Sequence, residues 1–276
     1  MKKMGRKNKI IIYIILIIMS FIMLVPFAWM VLTAFKTVGE STQMDPFVIF
    51  PSKFRVDNFV KVLHNVNFGR LYFNTIMMIA LRVLCAVLTA TLAGYAFARL
   101  QFKGRDFMFG LVLFQMMIPS QIFIIPQYVM VSKLGWTNSL LGLLFPGLVS
   151  AFGTFLLRQA YMGLPKELEE AARLDGCNIG QTFLFIMAPL TKSAMVALGI
   201  FTAVFAYKDL MWPMIVCPDT NKTTLASALS KMQGQFSSNY PELMAAALIA
   251  CLPMIILYVI FQKQFIEGIA TSGGKL

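Results

Sequence analysis

The carboxylates of residues 165–190, PKELEEAARLDGCNIGQTFLFIMAPL, stand at helical spacing in the most polar stretch of the second half of the chain. Pro165 suits the first position of a helix. Glu167, Glu169 and Glu170 then fall in the first turns, where the helix dipole favours anions, and Glu169 precedes Arg173 by four residues, the better orientation for an ion pair. Leu168, Ala171, Ala172 and Asp175 follow at i, i+3, i+4 and i+7, which predicts one small, half-apolar face that another surface can approach closely. Gly176 is placed to end this helix in the left-handed conformation. Asn178 with Gln181 forms a capping pair for a second helix, whose apolar face of Phe183, Ile186, Met187 and Leu190 runs up to Pro189 and beyond. The feature predicted is a docking surface on a helix–glycine–helix elbow, a shallow apolar strip ringed by glutamates, against the alternative of a solvated loop whose charges merely keep it out of the bilayer.

A second set of polar residues interrupts long apolar runs: Asn74, Arg82, Gln115, Gln121, Thr154, Thr202, Tyr207, Lys208 and Asp209. Polar groups are costly in hydrocarbon, so these are the candidates for lining a wet pathway. Arg82 is predicted roughly 15 Å deep at 1.5 Å per residue, and Asp209 near the outer end of a different run. The partner of Arg82 is therefore expected from another subunit or from a ligand. Lys208 and Asp209 are adjacent and cannot share one helix face, while Tyr207 and Trp212 also fit an interfacial aromatic belt. Catalytic and metal chemistry find no foothold. His64 is the single histidine, and Cys85, Cys177, Cys217 and Cys251 show no ligand spacing. The tail GIATSGGKL fails as a phosphate loop, because a second glycine precedes Lys275, no Ser or Thr follows it, and no strand leads into it. No catalytic, cofactor or metal residues are predicted, so energy for uphill work must come from another subunit or an ion.

The elements that must position these groups follow from composition. With 58% apolar and 13% charged residues, the chain has too little polar surface for a soluble domain. Apolar runs near 10–34, 72–98, 107–131, 138–160, 189–213 and 243–262 are each long enough to cross a hydrocarbon core of about 30 Å. An all-α polytopic membrane protein with six transmembrane helices is predicted. It has an N-terminal arm at 1–9, a six-span domain at 10–265 containing the elbow loop 163–188, and a tail at 266–276. The first run is too long for a signal-peptide core and lacks a cleavage site, so it is read as an uncleaved span. Segments predicted inside carry 13 Lys and Arg against 8 outside, which places both termini in the cytoplasm. The net charge of +12 thus reads as topology and contact with anionic membrane lipid, not nucleic-acid binding.

At the elbow the sequence resembles a known family. Glu170-Ala171-Ala172, Gly176 and the Ile186-x-x-Pro189 motif match in both spacings the EAA loop of membrane subunits of bacterial ATP-binding-cassette importers, with Ala188 where leucine is usual. LVPFAWMVLTAFKT (24–37), NFGRLYFNT (67–75), GYAFARLQFKGRD (94–106), IPQY (125–128), LLRQAYMGLPKELEEAARLDG (156–176), KDLMWP (208–213) and FIEGIATSGGKL (265–276) resemble the sugar-importing, maltose-type branch nearly end to end. The stretch YKDLMWP departs from the W-N-D/E pattern more usual there. The resemblance implies a type I importer-like permease in a bacterial cytoplasmic membrane, carrying a sugar, with oligosaccharide as the expected cargo. It implies a second homologous permease subunit, a dimer of nucleotide-binding ATPase subunits that hold the ATP and magnesium, and an extracytoplasmic sugar-binding protein. By the same resemblance the elbow is a coupling helix: Glu169, Glu170, Ala171, Ala172, Asp175, Gly176, Ile186 and Pro189 are its docking residues, and the tail 266–276 is a second contact.

Three other readings stand beside this one. An organic phosphate or acidic sugar as cargo would use Arg82 and Lys208 to neutralise the anion. An ion-coupled secondary carrier would need mid-membrane titratable groups and repeated halves, neither of which is evident in the sequence. A non-transporting scaffold would keep the elbow but need no polar pathway.

Overall fold

The computed structural model describes the backbone of residues 6–235 and 239–273. The described residues form helices joined by short turns, with a single bridge between Met44 and Phe47 as the only β pairing among them. The chain divides into two compact units, Met1–Phe68 with Leu229–Met254, and Gly69–Ala228 with Ile255–Leu276. In order, the helices are α1 (Arg6–Ala34), α2 (Val38–Thr42), α3 (Asp57–Asn65), α4 (Phe68–Arg99), α5 (Arg105–Met117), α6 (Ile124–Lys133), α7 (Leu140–Leu144), α8 (Ala151–Met162), α9 (Glu167–Leu174), α10 (Ile179–Thr182), α11 (Ala188–Leu190), α12 (Lys192–Lys208), α13 (Met211–Val216), α14 (Leu225–Gln235) and α15 (Tyr240–Gly273).

Among the described residues, three helices are long and apolar enough by themselves to cross a membrane: Asn8–Ala34, Phe68–Arg99 and Tyr240–Gln262. Three bent pairs are long and apolar enough only when taken together: α5 with Ser120–Lys133, bent by 101°; Leu140–Gly147 with α8, bent by 46°; and Ile179–Leu190 with α12, bent by 71°. The six apolar runs are thus all helical, with the third, fourth and fifth broken into two helices each. The cause is local. Pro119 forces Ile118 out of the helical region, to φ −89° and ψ 128°, and the chain restarts as a 3-10 turn at Ser120–Phe123. Ser150 caps α8 by accepting from the Gly153 amide, and Thr191, at ψ 11°, breaks the helix after Pro189. At the other end of α12, Asp209 is extended, so the run predicted to reach residue 213 stops at Lys208.

In the first unit, α1 presents Ile10 through Leu24 on all sides as exposed apolar side chains, a surface that hydrocarbon covers without cost. Its C-terminal carbonyls are collected by Asn58 of α3, whose amide donates to Ala34 O at 2.8 Å and Lys36 O at 3.0 Å. Lys36 is enclosed. Its ammonium lies 4.0 Å from the Trp29 ring centre and donates to Val48 O at 2.6 Å. Burial pushes its pKa below the usual lysine range, against the opposing pull of Glu40. Glu40 completes a capping box with Thr37 and accepts from the Ser52 hydroxyl and amide; these bonds, led by the Ser52 hydroxyl, hold its carboxyl at about 2.

Among the described residues of the second unit, two cores carry the load. One gathers Met78, Val131, Leu143, Trp212, Val216 and Cys217; the other gathers Ala90, Tyr95, Leu157, Tyr161, Phe183, Met187 and Leu198. Glycine sets the close crossings around the latter. A Cβ at Gly94 would lie 2.7 Å from Leu157 Cβ and 2.9 Å from the Arg158 backbone nitrogen, and one at Gly153 would lie 2.9 Å from both Ala90 and Leu198. Of the predicted termini, α1 begins inside the arm at Arg6, while residues 1–5 lie outside the described residues. The tail expected at 266–276 is helical to Gly273 as the end of α15; the side chains of that segment and residues 274–276 lie outside the described residues.

Candidate functional site

The elbow folds largely as its sequence dictates. α9 carries Glu167, Glu169 and Glu170 in its first turn and Arg173 in its last, and Gly176 stops it at φ +84°. Asn178 and Gln181 make a reciprocal capping box at 2.9 Å each way, which opens α10 two residues after Cys177. The chain continues as a π-helical turn, Phe183–Met187, into α11. Helix α9 begins two residues later than predicted, so Pro165 precedes it rather than starting it.

Side-chain directions on the elbow differ from the predicted single face. Ala172 is buried and Leu168 half-buried, whereas Ala171 and Asp175 point outward. The exposed side of α9 therefore carries Glu170, Ala171 and Leu174, the last 90% exposed, an apolar patch edged by carboxylates. The other side rests on an aromatic floor, Tyr95 against Tyr161 at 5.5 Å and Phe183 at 5.0 Å between ring centres. Phe183 and Met187 are buried there and Ile186 half-buried, but Leu190 and Pro189 are exposed. Glu169 also departs from expectation. Its ion pair is with Arg99 of α4, at 3.8 Å, in place of the predicted pair with Arg173.

The polar residues of the spans separate into two groups. Arg82, Gln115, Gln121, Thr202, Lys208 and Asp209 converge on one cavity of about 1100 Å³, together with Gln127, Ser120, Ser150, Phe152, Phe201, Phe205 and Trp212. The break at Pro119 creates it, because the 101° turn carries Ser120 and Gln121 beside Gln115. Asn74 lies elsewhere. Its amide donates to Asn221 O and Thr223 O at 3.0 and 3.2 Å, next to the Thr75 hydroxyl that accepts from the Leu225 amide, so the pair anchors the approach to α14. Thr154 is buried and bonds back to Ser150 O within its own helix, and Tyr207 is not among the lining residues.

Arg82 overturns the expected partner. Its Nη1 donates to Asp209 Oδ2 at 2.8 Å within the same chain, while Nε and Nη2 both donate to Leu143 O. The depth argument placed Asp209 near the outer end of a run reaching residue 213. The helix in fact stops at Lys208, and the extended residue after it turns its carboxylate to Arg82. Gly147 lets the guanidinium pass, since a Cβ there would lie 2.7 Å from Arg82 Cδ. Sequence reasoning missed Gln127, Ser120, Ser150, Tyr95, Arg99 and Tyr161 as site residues. The one signal available for any of them was Pro119 inside an apolar run.

The family described as binding-protein-dependent transport system inner membrane component matches residues 86–270. The arabinooligosaccharides transport system permease protein AraQ of Halalkalibacterium halodurans is 32% identical over 258 residues, 93% of this chain and 92% of its own. The lactose transport system permease protein LacG of Rhizobium radiobacter is 26% identical over 267 residues, 97% of each chain. Among solved structures, a bacterial ABC transporter involved in the import of the acidic polysaccharide alginate superposes with a TM-score of 0.79 at 23% identity, over 95% of this chain and 99% of that one. That likeness is one of fold.

Proposed function

The chain belongs to the family of binding-protein-dependent transport system inner membrane components, and from that premise we propose that it forms half of the pathway of an ATP-binding-cassette importer of neutral oligosaccharides. It is a membrane-spanning transport subunit rather than an enzyme. The observation that carries the docking part is the exposed patch of Glu170, Ala171 and Leu174, held on a capped elbow over a buried aromatic floor. A short helix with a small apolar centre and a carboxylate edge fits a cleft in a nucleotide-binding subunit that offers a basic residue to Glu170. A dimer of such subunits, holding ATP and magnesium, lies on the cytoplasmic side with both termini and the elbow. A second homologous permease completes the pathway, and an extracytoplasmic sugar-binding protein delivers the cargo. Gly176, Ile186 and Pro189 shape the elbow, and Asp175 extends its acidic edge.

The cavity bordered by Arg82 supports the choice of cargo. Its cation is already neutralised by Asp209, so apart from Lys208 the recognising groups are amides, hydroxyls and aromatic rings, the mixture that suits a neutral sugar. An acidic sugar or organic phosphate is the second reading, resting on Lys208 at the same wall. The experiment is deletion of the gene, followed by uptake of radiolabelled arabinooligosaccharide, lactose, oligouronate and sn-glycerol-3-phosphate, with complementation by Glu170→Lys and Ala171→Asp variants. Loss of a neutral oligosaccharide alone, unrestored by either variant although both reach the membrane, is the result expected. Loss of only an anionic substrate would reject the neutral cargo, and full complementation by both variants would reject the docking surface.

A further inference from the structure

Glu169 lies beside the docking patch, yet its side chain is only 14% exposed and faces the membrane-spanning helices. Its partner, Arg99, ends α4 and is 6% exposed. Through Nη2 the same guanidinium donates to Tyr161 O, at 2.6 Å, and to Leu164 O, the carbonyls where the chain leaves α8. One buried cation thus joins α4, the exit of α8 and the elbow helix α9. Tyr95, four residues before Arg99 on α4, borders the same carboxylate. We infer that Glu169 is a positioning residue that latches the elbow to α4 through Arg99, so that movement imposed on the elbow reaches the spans lining the cavity. This rests on the proposal that the elbow docks on nucleotide-binding subunits.

Two details favour a latch over a passive surface charge. Burial of both side chains removes the screening that makes exposed ion pairs weak. The contact is also incompletely made: at 3.8 Å it is an ion pair without a hydrogen bond, and Arg99 Nε and Glu169 Oε1 are both buried without a partner. Both groups are thus available to pair when α9 shifts against α4. On the other side of the elbow, Glu170 is exposed and free to meet a partner. Adjacent carboxylates therefore divide the work, one facing the motor and one the channel.

The test uses the whole transporter, co-expressed with its nucleotide-binding subunits in liposomes, with Gln121→Cys as the reporter in the cavity and the native cysteines replaced by alanine. Maleimide labelling of that cysteine is compared with and without ATP in the absence of magnesium, so no cargo need be known. In Glu169→Gln the nucleotide-binding subunits should co-purify at the parental ratio, while the ATP-induced change in labelling falls at least threefold. Glu169→Asp, which keeps the charge across a longer gap, should lie between the two. An undiminished ATP response in both variants, or loss of the nucleotide-binding subunits from Glu169→Gln, overturns the latch. The docking proposal fails separately, if Glu170→Lys retains those subunits at the parental ratio.

Discussion

Arg82 and Asp209, 127 residues apart in the chain, meet at 2.8 Å where the helix carrying the carboxylate has just ended. The pair, with Leu143 O as a further acceptor, ties α4 to the α12–α13 break and to α7 at the edge of the cavity. Removing either partner leaves a buried charge unmatched. Arg82→Gln and Asp209→Asn should each lower stability in detergent by about 3 kcal/mol, the low end for a buried pair because Asp209 keeps some contact with water. The double variant should be less destabilised than the two singles summed. Thermal unfolding of the purified subunit measures this, and strict additivity would mean the pair contributes nothing.

Gly147 gives an independent handle on the same knot. Gly147→Ala places a methyl against the stem of Arg82, so the guanidinium must leave Asp209 or the backbone must move. Destabilisation of about 1–3 kcal/mol is expected. In an Arg82→Ala background the cost of Gly147→Ala should largely vanish, and an unchanged cost there would count against the steric account.

The crossing of α4 and α8 beneath the elbow is set by Gly94. Because a Cβ there would meet backbone as well as Leu157, relief by side-chain rotation is not available. Gly94→Val should cost more than Gly94→Ala, which itself costs about 1–3 kcal/mol. Both should loosen the aromatic floor under α9, seen as faster hydrogen exchange across Glu167–Leu174. Exchange at the parental rate would exclude a role for this crossing in seating the elbow.

Acid should open the loop that follows α1. The Glu40 carboxyl is held at about 2, below an unfolded value near 4.3, by bonds from Ser52 and Thr37. A depressed carboxyl contributes stability that is fully present above the unfolded value and is lost as pH falls from about 4.3 through 2. Ser52→Ala removes the largest cause, so the Glu40 titration should move up toward the ordinary carboxylate range. A carbon-13 titration of labelled glutamate reads the midpoint directly, and an identical midpoint in the variant would contradict the assigned cause.

The proposed orientation can be tested with single cysteines, the four native cysteines being replaced. Substitutions at Lys103 and Lys166 should resist impermeant maleimide in intact cells, while those at Lys53 and Lys231 should label. Cys217 is fully buried and is best replaced by alanine, which adds no polar atom to the core. The opposite labelling pattern would invert the assignment of both termini and the elbow.

The sequence by itself determined the elements that depend on neighbours along the chain. Long apolar runs made the spans, and the Asn178–Gln181 capping box and the left-handed Gly176 made the elbow, because caps and glycine conformations are settled within a few residues. Even the break at Ile118 was present in the residue that follows it. What tertiary structure decided was direction and partnership. Glu169 has Arg173 one helical turn away, yet pairs with Arg99, because a buried cation gains more from a carboxylate than a solvated one does. The adjacent alanines of α9 separate, Ala172 into the core and Ala171 outward, since the depth at which a helix seats is fixed by the floor beneath it. Arg82 finds Asp209 only because α12 ends at Lys208, one residue before the carboxylate, and the position of a helix end in space, unlike its approximate place in the sequence, depends on everything packed around it.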